Sequence, residues 1–153
     1  MRPPELKVPP VLLAAVSAGA MWVLARAADG LTVALPFGKV LAAILGAAGI
    51  GVASLGVATF RRARTTVNPL NPDAASSLVT EGIYRYSRNP MYLGIVLALL
   101  GWAAFLANVA ALAVVPVFVV WMNAFQIAPE ERALAAKFGA AFSGYREKVR
   151  RWI

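Results

Sequence analysis

The sequence predicts an all-α integral membrane protein with about four transmembrane helices, a long cytoplasmic loop and a C-terminal amphipathic helix, all in one domain spanning 1–153. Three observations carry this reading. Hydrophobic residues make up 60% of the 153 positions and the mean hydropathy is +0.69, whereas roughly 45–50% apolar is typical of a soluble domain. Four apolar stretches, at about 11–25, 40–60, 91–106 and 109–128, approach or reach the roughly 17–25 residues a helix needs to cross a bilayer. Lysine and arginine then alternate across those stretches, thirteen on one side and two on the other. By the positive-inside rule the rich side is cytoplasmic, and it holds both termini and the loop at 61–90.

The first stretch, Val11 to Ala25, has a rival reading. Arg2 and Lys7 before it and Ala25-Arg26-Ala27 after it mimic a cleavable secretory signal. Arg26 inside that pattern and Trp22 just before it fit an interfacial anchor better, which favours a retained span.

The second stretch contains GAAGIG from Gly46 to Gly51. Its order is G-x-x-G-x-G inside an apolar helix, so it fails as a dinucleotide loop in both spacing and context. Ala43, Ala47 and Gly51 recur at every fourth residue and predict close helix packing.

Asn108 is the main interruption between the third and fourth stretches, so these two spans form a tight hairpin. Before them, the loop at 61–90 carries the turn formers Asn68-Pro69 and Asn71-Pro72, then Asp73. A disordered linker is one reading of such a loop; Leu78, Val79 and Ile83 favour the other, that it folds back onto the spans.

After the fourth span, Pro129 suits a first helical position, and Glu130 and Glu131 suit a first turn, where the helix dipole favours carboxylates. Leu134, Phe138, Phe142, Tyr145, Val149 and Trp152 then recur at steps of three and four. This predicts one amphipathic helix over 129–152, with Lys148, Arg150 and Arg151 near lipid headgroups.

Composition removes several chemistries. With no cysteine and no histidine, thiol nucleophiles, imidazole acid–base catalysis and the usual zinc sites are excluded, and no metal is expected. Chemistry carried by a cofactor is favoured instead. The net charge of +8 lies mostly on one face of a membrane protein, where anionic lipid is the expected partner and nucleic acid is not.

One polar cluster stands out, GIYRYSRNPMYLG at 82–94, which runs directly into the third span. The hairpin returns the chain to the same side at Glu130, near Arg88 and Tyr92. Taken singly these are anchors, a helix start and a favourable first turn. Taken together, the run from Arg88 to Gly94, the hydrophobic hairpin and Glu130-Glu131-Arg132-Ala133-Leu134 closely resemble the R-[HN]-P-x-Y-x-G and E-E-x-x-L signature of the isoprenylcysteine carboxyl methyltransferase-like and phospholipid methyltransferase-like membrane enzymes. Leu78-Val79-Thr80, Gly82, Tyr84, Phe138-Gly139, Tyr145 and Arg151-Trp152 agree with it. The resemblance covers about half the chain, 68–153.

It implies a methyltransferase using S-adenosylmethionine, with S-adenosylhomocysteine as product and a pocket facing the cytoplasm of a bacterial or archaeal plasma membrane. The family's cofactor contacts fall on Leu78, Val79, Tyr84, Asn89, Pro90, Met91, Tyr92 and Glu130. Glu130 suits the cofactor's ammonium and Arg88 its carboxylate. Tyrosine faces suit the sulfonium, and Leu78, Val79 and Met91 suit adenine. No catalytic base is evident.

Two departures bear on the acceptor, which is expected to be a lipophilic or membrane-embedded carboxylate, thiol or amine. Asn89 stands where the family often has histidine. Gln126 stands where the eukaryotic prenylcysteine enzymes have an arginine for substrate, which disfavours prenylcysteine itself. Asn123 and Gln126, near the end of the fourth span, suit either substrate contact or interhelical hydrogen bonds. The competing classes are a small transporter, which the lack of ionisable residues in the spans disfavours, and a non-enzymatic partner protein or inactive family member.

Overall fold

The computed structural model describes residues 7–64 and 75–153, and it is helical. The turn formers at 68–73 lie outside the described residues. Helix α1 spans Pro10–Ala27, α2 Gly38–Arg62, α3 Pro90–Leu106, α4 Val109–Phe138 and α5 Ala140–Lys148. Three of these, α1, α2 and α4, are long and apolar enough to cross a membrane; α3 is apolar and one residue shorter than α1. The chain is an integral membrane protein. Among the described residues the only β pairing is an isolated bridge between Thr32 and Asn108.

Side-chain volume decides which faces meet. Helix α2 packs along α3 on a seam of small residues. A Cβ added to Gly49 would lie 2.5 Å from the Gly94 carbonyl, and one added to Gly101 would lie 2.9 Å from the Ala42 carbonyl. Gly94 faces Ala53, and Gly56 sits against Met91. Close backbone approach of this kind gives dispersion contact that larger side chains would prevent. The stripe expected to pack, Ala43, Ala47 and Gly51, is exposed instead, and a Cβ on Gly51 would meet nothing within 4 Å. The helix carries two rows of small residues, and the row of Gly49 and Gly56 faces α3.

Helix α1 packs on α3 and on the first half of α4, around Met21, Leu99, Ala103, Ala111, Val115, Phe118 and Met122. Trp102 Nε1 donates to the Ala18 carbonyl at 3.0 Å, which fixes α1 to α3 within the apolar layer.

The tight hairpin is built around Asn108. Ala107 ends α3 in the left-handed conformation, with φ 48°, and Asn108 caps α4 by accepting from the Ala110 and Ala111 amides at 2.9 and 3.3 Å. The Asn108 amide donates to the Ala28 carbonyl at 2.9 Å, so the loop after α1 is tied to the same end of the molecule.

Near its polar end α4 contains one π-helical turn, Asn123–Ile127. The Ala128 amide reaches back five residues to the Asn123 carbonyl, and Pro129 has no amide with which to continue an α-helical ladder. The charged residues of α4 all follow this wide turn: Glu130, Glu131, Arg132 and Lys137.

The C-terminal segment differs from the single helix expected over 129–152. Gly139, at φ 50° and ψ −122°, separates α4 from α5, and the chain beyond Lys148 is not helical. A backbone at positive φ suits glycine and interrupts the helix, so the apolar stripe continues across a bend.

Candidate active site

The start of α1, the end of α2, the start of α3 and the polar part of α4 surround one cavity of about 310 Å3. That volume lies within the range of about 300–1,000 Å3 usual for small-molecule sites. Its walls divide by chemistry. Val11, Ala53, Val57, Phe60, Met91 and Ile95 form an apolar part, while Tyr84, Arg88, Asn89, Tyr92, Glu130 and Glu131 gather at the polar part.

Local structure places each polar group. The 3-10 turn Gly82–Arg85 starts at Gly82, with φ 57° and Thr59 close by, and buries Tyr84 to 4% exposure. Phe60 lies 5.2 Å from the Tyr84 ring, and Tyr145 donates to the Tyr84 carbonyl at 2.7 Å, so the residue is fixed through its ring and through its backbone. Burial, with the nearby charge of Glu130, raises the Tyr84 hydroxyl well above its ordinary pKa. Pro90 occupies the first turn of α3 and aims Met91 and Tyr92 into the cavity.

The two adjacent glutamates have opposite surroundings. Tyr92 donates to Glu130 Oε2 at 3.0 Å, and among the described residues no ion pair reaches this carboxylate. Burial pushes Glu130 up from 4.5 to about 7, against the Tyr92 hydrogen bond and with help from the charge of Glu131. Glu131 is paired twice, with Arg88 at 2.8 Å and Arg151 at 2.6 Å. Burial alone would raise Glu131, but hydrogen bonds from Arg151 and Arg88 outweigh it and hold the group below its ordinary value.

Most of the expected cofactor residues line this cavity: Leu78, Val79, Tyr84, Arg88, Asn89, Met91, Tyr92 and Glu130. Pro90 does not; it is fully buried at the helix start, beside Gly56. Arg88 is engaged within the protein, its terminal nitrogens donating to Glu131 and to the Val149 and Arg146 carbonyls at 2.8, 2.7 and 3.1 Å. The terminal nitrogens are thus taken up within the protein, while Arg88 itself still lines the cavity.

Asn123 and Gln126 are absent from the cavity wall. Asn123 Oδ1 accepts from Trp152 Nε1 at 3.2 Å and from Arg151 at 3.4 Å. Gln126 is fully buried behind Tyr92, to whose hydroxyl it donates at 3.4 Å. Gln126 thus bonds across to α3, and Asn123 to the chain beyond α5.

Phe60, Ser77, Glu131, Leu134, Phe142 and Tyr145 line the cavity without having been singled out as ligand contacts. Leu134, Phe142 and Tyr145 belong to the amphipathic stripe, which is the signal that marks them. Three buried polar atoms in the walls have no hydrogen-bond partner among the described residues: Ser77 Oγ, the Tyr84 hydroxyl and Arg88 Nε. Buried groups of this kind usually find partners, so a polar ligand fits here. Among the described residues no cluster suits a metal ion.

Comparison with known proteins agrees with this architecture. The phospholipid methyltransferase family matches residues 37–141, which hold most of the cavity-lining residues. An uncharacterized protein of Haemophilus influenzae is 46% identical over 63 residues, 41% of this chain and the whole of that protein. No solved structure matches. With well over half its length matched, the chain belongs to the phospholipid methyltransferase family of membrane methyltransferases.

Proposed function

We propose that the cavity binds S-adenosylmethionine and that the protein transfers its methyl group to a lipophilic acceptor held in the bilayer, on the cytoplasmic side of a prokaryotic plasma membrane. The observation that carries this reading is Glu130, a carboxylate in the cavity wall that lacks a cation among the described residues. A ligand bearing a cationic group beside polar and apolar parts suits such a wall, since a charge-assisted contact in a water-poor cavity is worth more than one in water. The residues present fit the cofactor: Glu130 would hold its ammonium, Leu78, Val79 and Met91 would cover adenine, and Ser77 and Tyr84 have hydroxyls available for polar atoms.

When bound, the cofactor would supply a methyl group on a sulfonium to the acceptor's lone pair, the carbon–sulfur pair going to sulfur; a carboxylate acceptor has no proton to lose, and an amine or thiol would give its proton to water, since no side-chain base is evident. A neutral sulfide leaves and needs no proton. The protein's part is then alignment, a contribution that reaches effective molarities of about 10⁵ M and above in intramolecular models. The lack of histidine and cysteine is therefore compatible with activity. Phe60, Val57 and Ile95 extend the cavity with apolar surface suited to a lipophilic acceptor.

Calorimetry in detergent tests the cofactor. Saturable binding of S-adenosylmethionine or S-adenosylhomocysteine is expected, and neither heat nor a thermal shift with either ligand would overturn the proposal. A methyl-transfer screen with labelled cofactor over lipid amines, thiols and prenyl carboxylates then identifies the acceptor.

A further inference from the structure

The geometry points to Arg151 as a positioning residue that holds the Arg88–Glu131 pair in place at the cavity wall through the non-helical C-terminal tail. This rests on the cofactor reading above.

The tail lies across the start of α3 and joins it by several contacts. The Arg88 amide donates to the Arg150 carbonyl at 3.0 Å, and the Asn89 side-chain amide donates to the Arg151 carbonyl at 3.0 Å. The Arg88 guanidinium reaches the Val149 and Arg146 carbonyls. The tail is pinned in turn by its own side chains: Arg151 donates twice to Glu131, at 2.6 and 3.1 Å, and Trp152 donates to Asn123 and packs on the core.

Three separated parts of the chain therefore meet at the Glu131 carboxylate. Arg88 and Glu131 have side chains only 10% and 12% exposed, so water screens their pairing weakly; Arg151 closes it from outside at 36% exposed. Without Arg151, Glu131 keeps one cation, and the carbonyls that orient Arg88 lose one of the two side-chain anchors of their segment, Trp152 being the other. Arg88 is followed by Asn89, Pro90, Met91 and Tyr92, three of which line the cavity. Glu131 is the sequence neighbour of Glu130. A loosened tail thus reaches the ligand wall from two sides.

The test uses the full-length protein in detergent as wild type, Arg151→Ala, Arg151→Lys and Lys148→Ala. Affinity for S-adenosylhomocysteine is measured by calorimetry, and hydrogen exchange of residues 84–92 is measured without ligand. Arg151→Ala should weaken binding about tenfold and should speed exchange across 84–92. Arg151→Lys keeps the charge without the planar fork and should fall between, while Lys148→Ala, a change on an exposed residue of α5, should match wild type. Unchanged affinity in Arg151→Ala, an equal loss in Lys148→Ala, or unchanged exchange would each overturn the inference. If Arg151→Ala does not fold, Arg151→Lys decides by the same two readouts. A wild type that binds no ligand defeats the cofactor reading instead; exchange then decides the tail's role, with acceleration confined to the Arg151 variants upholding it and none overturning it.

Discussion

The seam between α2 and α3 and the polar end of the molecule hold their parts together in opposite ways. At the seam, Gly49, Gly94 and Gly101 bring backbones together by removing side chains, and no charge is involved. At the polar end, long side chains from distant parts of the chain converge, and one carboxylate, Glu131, takes two arginines. The seam gains only by dispersion and tolerates no added volume. The polar end tolerates a cavity because directional bonds hold its walls, and this lets it keep Glu130 in a position costly for the fold.

The sharpest way to break that contrast is at the seam. Gly94→Leu should abolish folded protein, seen as loss of a monodisperse peak in detergent, because a Cβ alone would already meet the Gly49 carbonyl at 2.5 Å and Ala53 at 2.8 Å. A well-folded Gly94→Leu protein would show that α2 and α3 slide freely.

The next effect separates the fold from the ligand. Burial raises Glu130 from 4.5 to about 7, so the folded state holds this proton more tightly than the unfolded chain does. Its contribution to stability is full below about pH 4.5 and is lost as pH rises through about 7. Glu130→Gln should therefore melt higher than wild type at pH 8 and close to it at pH 4.5, in melts without ligand. Binding should run the other way: wild type gains affinity for a cationic ligand as pH rises through 7, and the variant loses at least about tenfold at pH 8. Parallel changes in melting and binding would remove Glu130 from the ligand site.

Tyr84→Phe has a smaller effect. It removes a buried hydroxyl without a partner among the described residues, so the ligand-free protein should keep or gain up to about 1 kcal/mol by thermal melting. S-adenosylhomocysteine affinity should fall a few-fold. The smallest change is Gly51→Ala, on the exposed face of α2: stability should shift by no more than about 1 kcal/mol, toward gain, as helix propensity predicts.

Sequence reasoning reached the helices and the hairpin readily, because apolar length and the Asn108 cap are local signals. It reached the cluster of Tyr84, Tyr92 and Glu130 through two motifs and a topology that returns the chain to one side. It misjudged α2 because two rows of small residues share one helix, and periodicity alone does not tell which faces a neighbour. The bend at Gly139 was hidden by an apolar stripe that continues across it. The engagement of Arg88 depends on Glu131, 43 residues away, and on tail carbonyls about 60 residues away, and no local pattern reports pairings of that range.

The π-helical turn at Asn123–Ile127 has a geometric consequence for how α4 meets its two surroundings. Each residue of an α-helix advances the chain by about 100°, and a turn closed five residues back takes up one residue more, so the residues after it face roughly 100° away from where an unbroken α-helix would put them. The wide turn therefore acts as a phase adjuster: Phe118 and Met122 face the core on one side of it, while Glu130 faces the cavity on the other. A single-residue deletion there would close the wide turn into an ordinary α-helical one and leave the carboxylate facing its chamber.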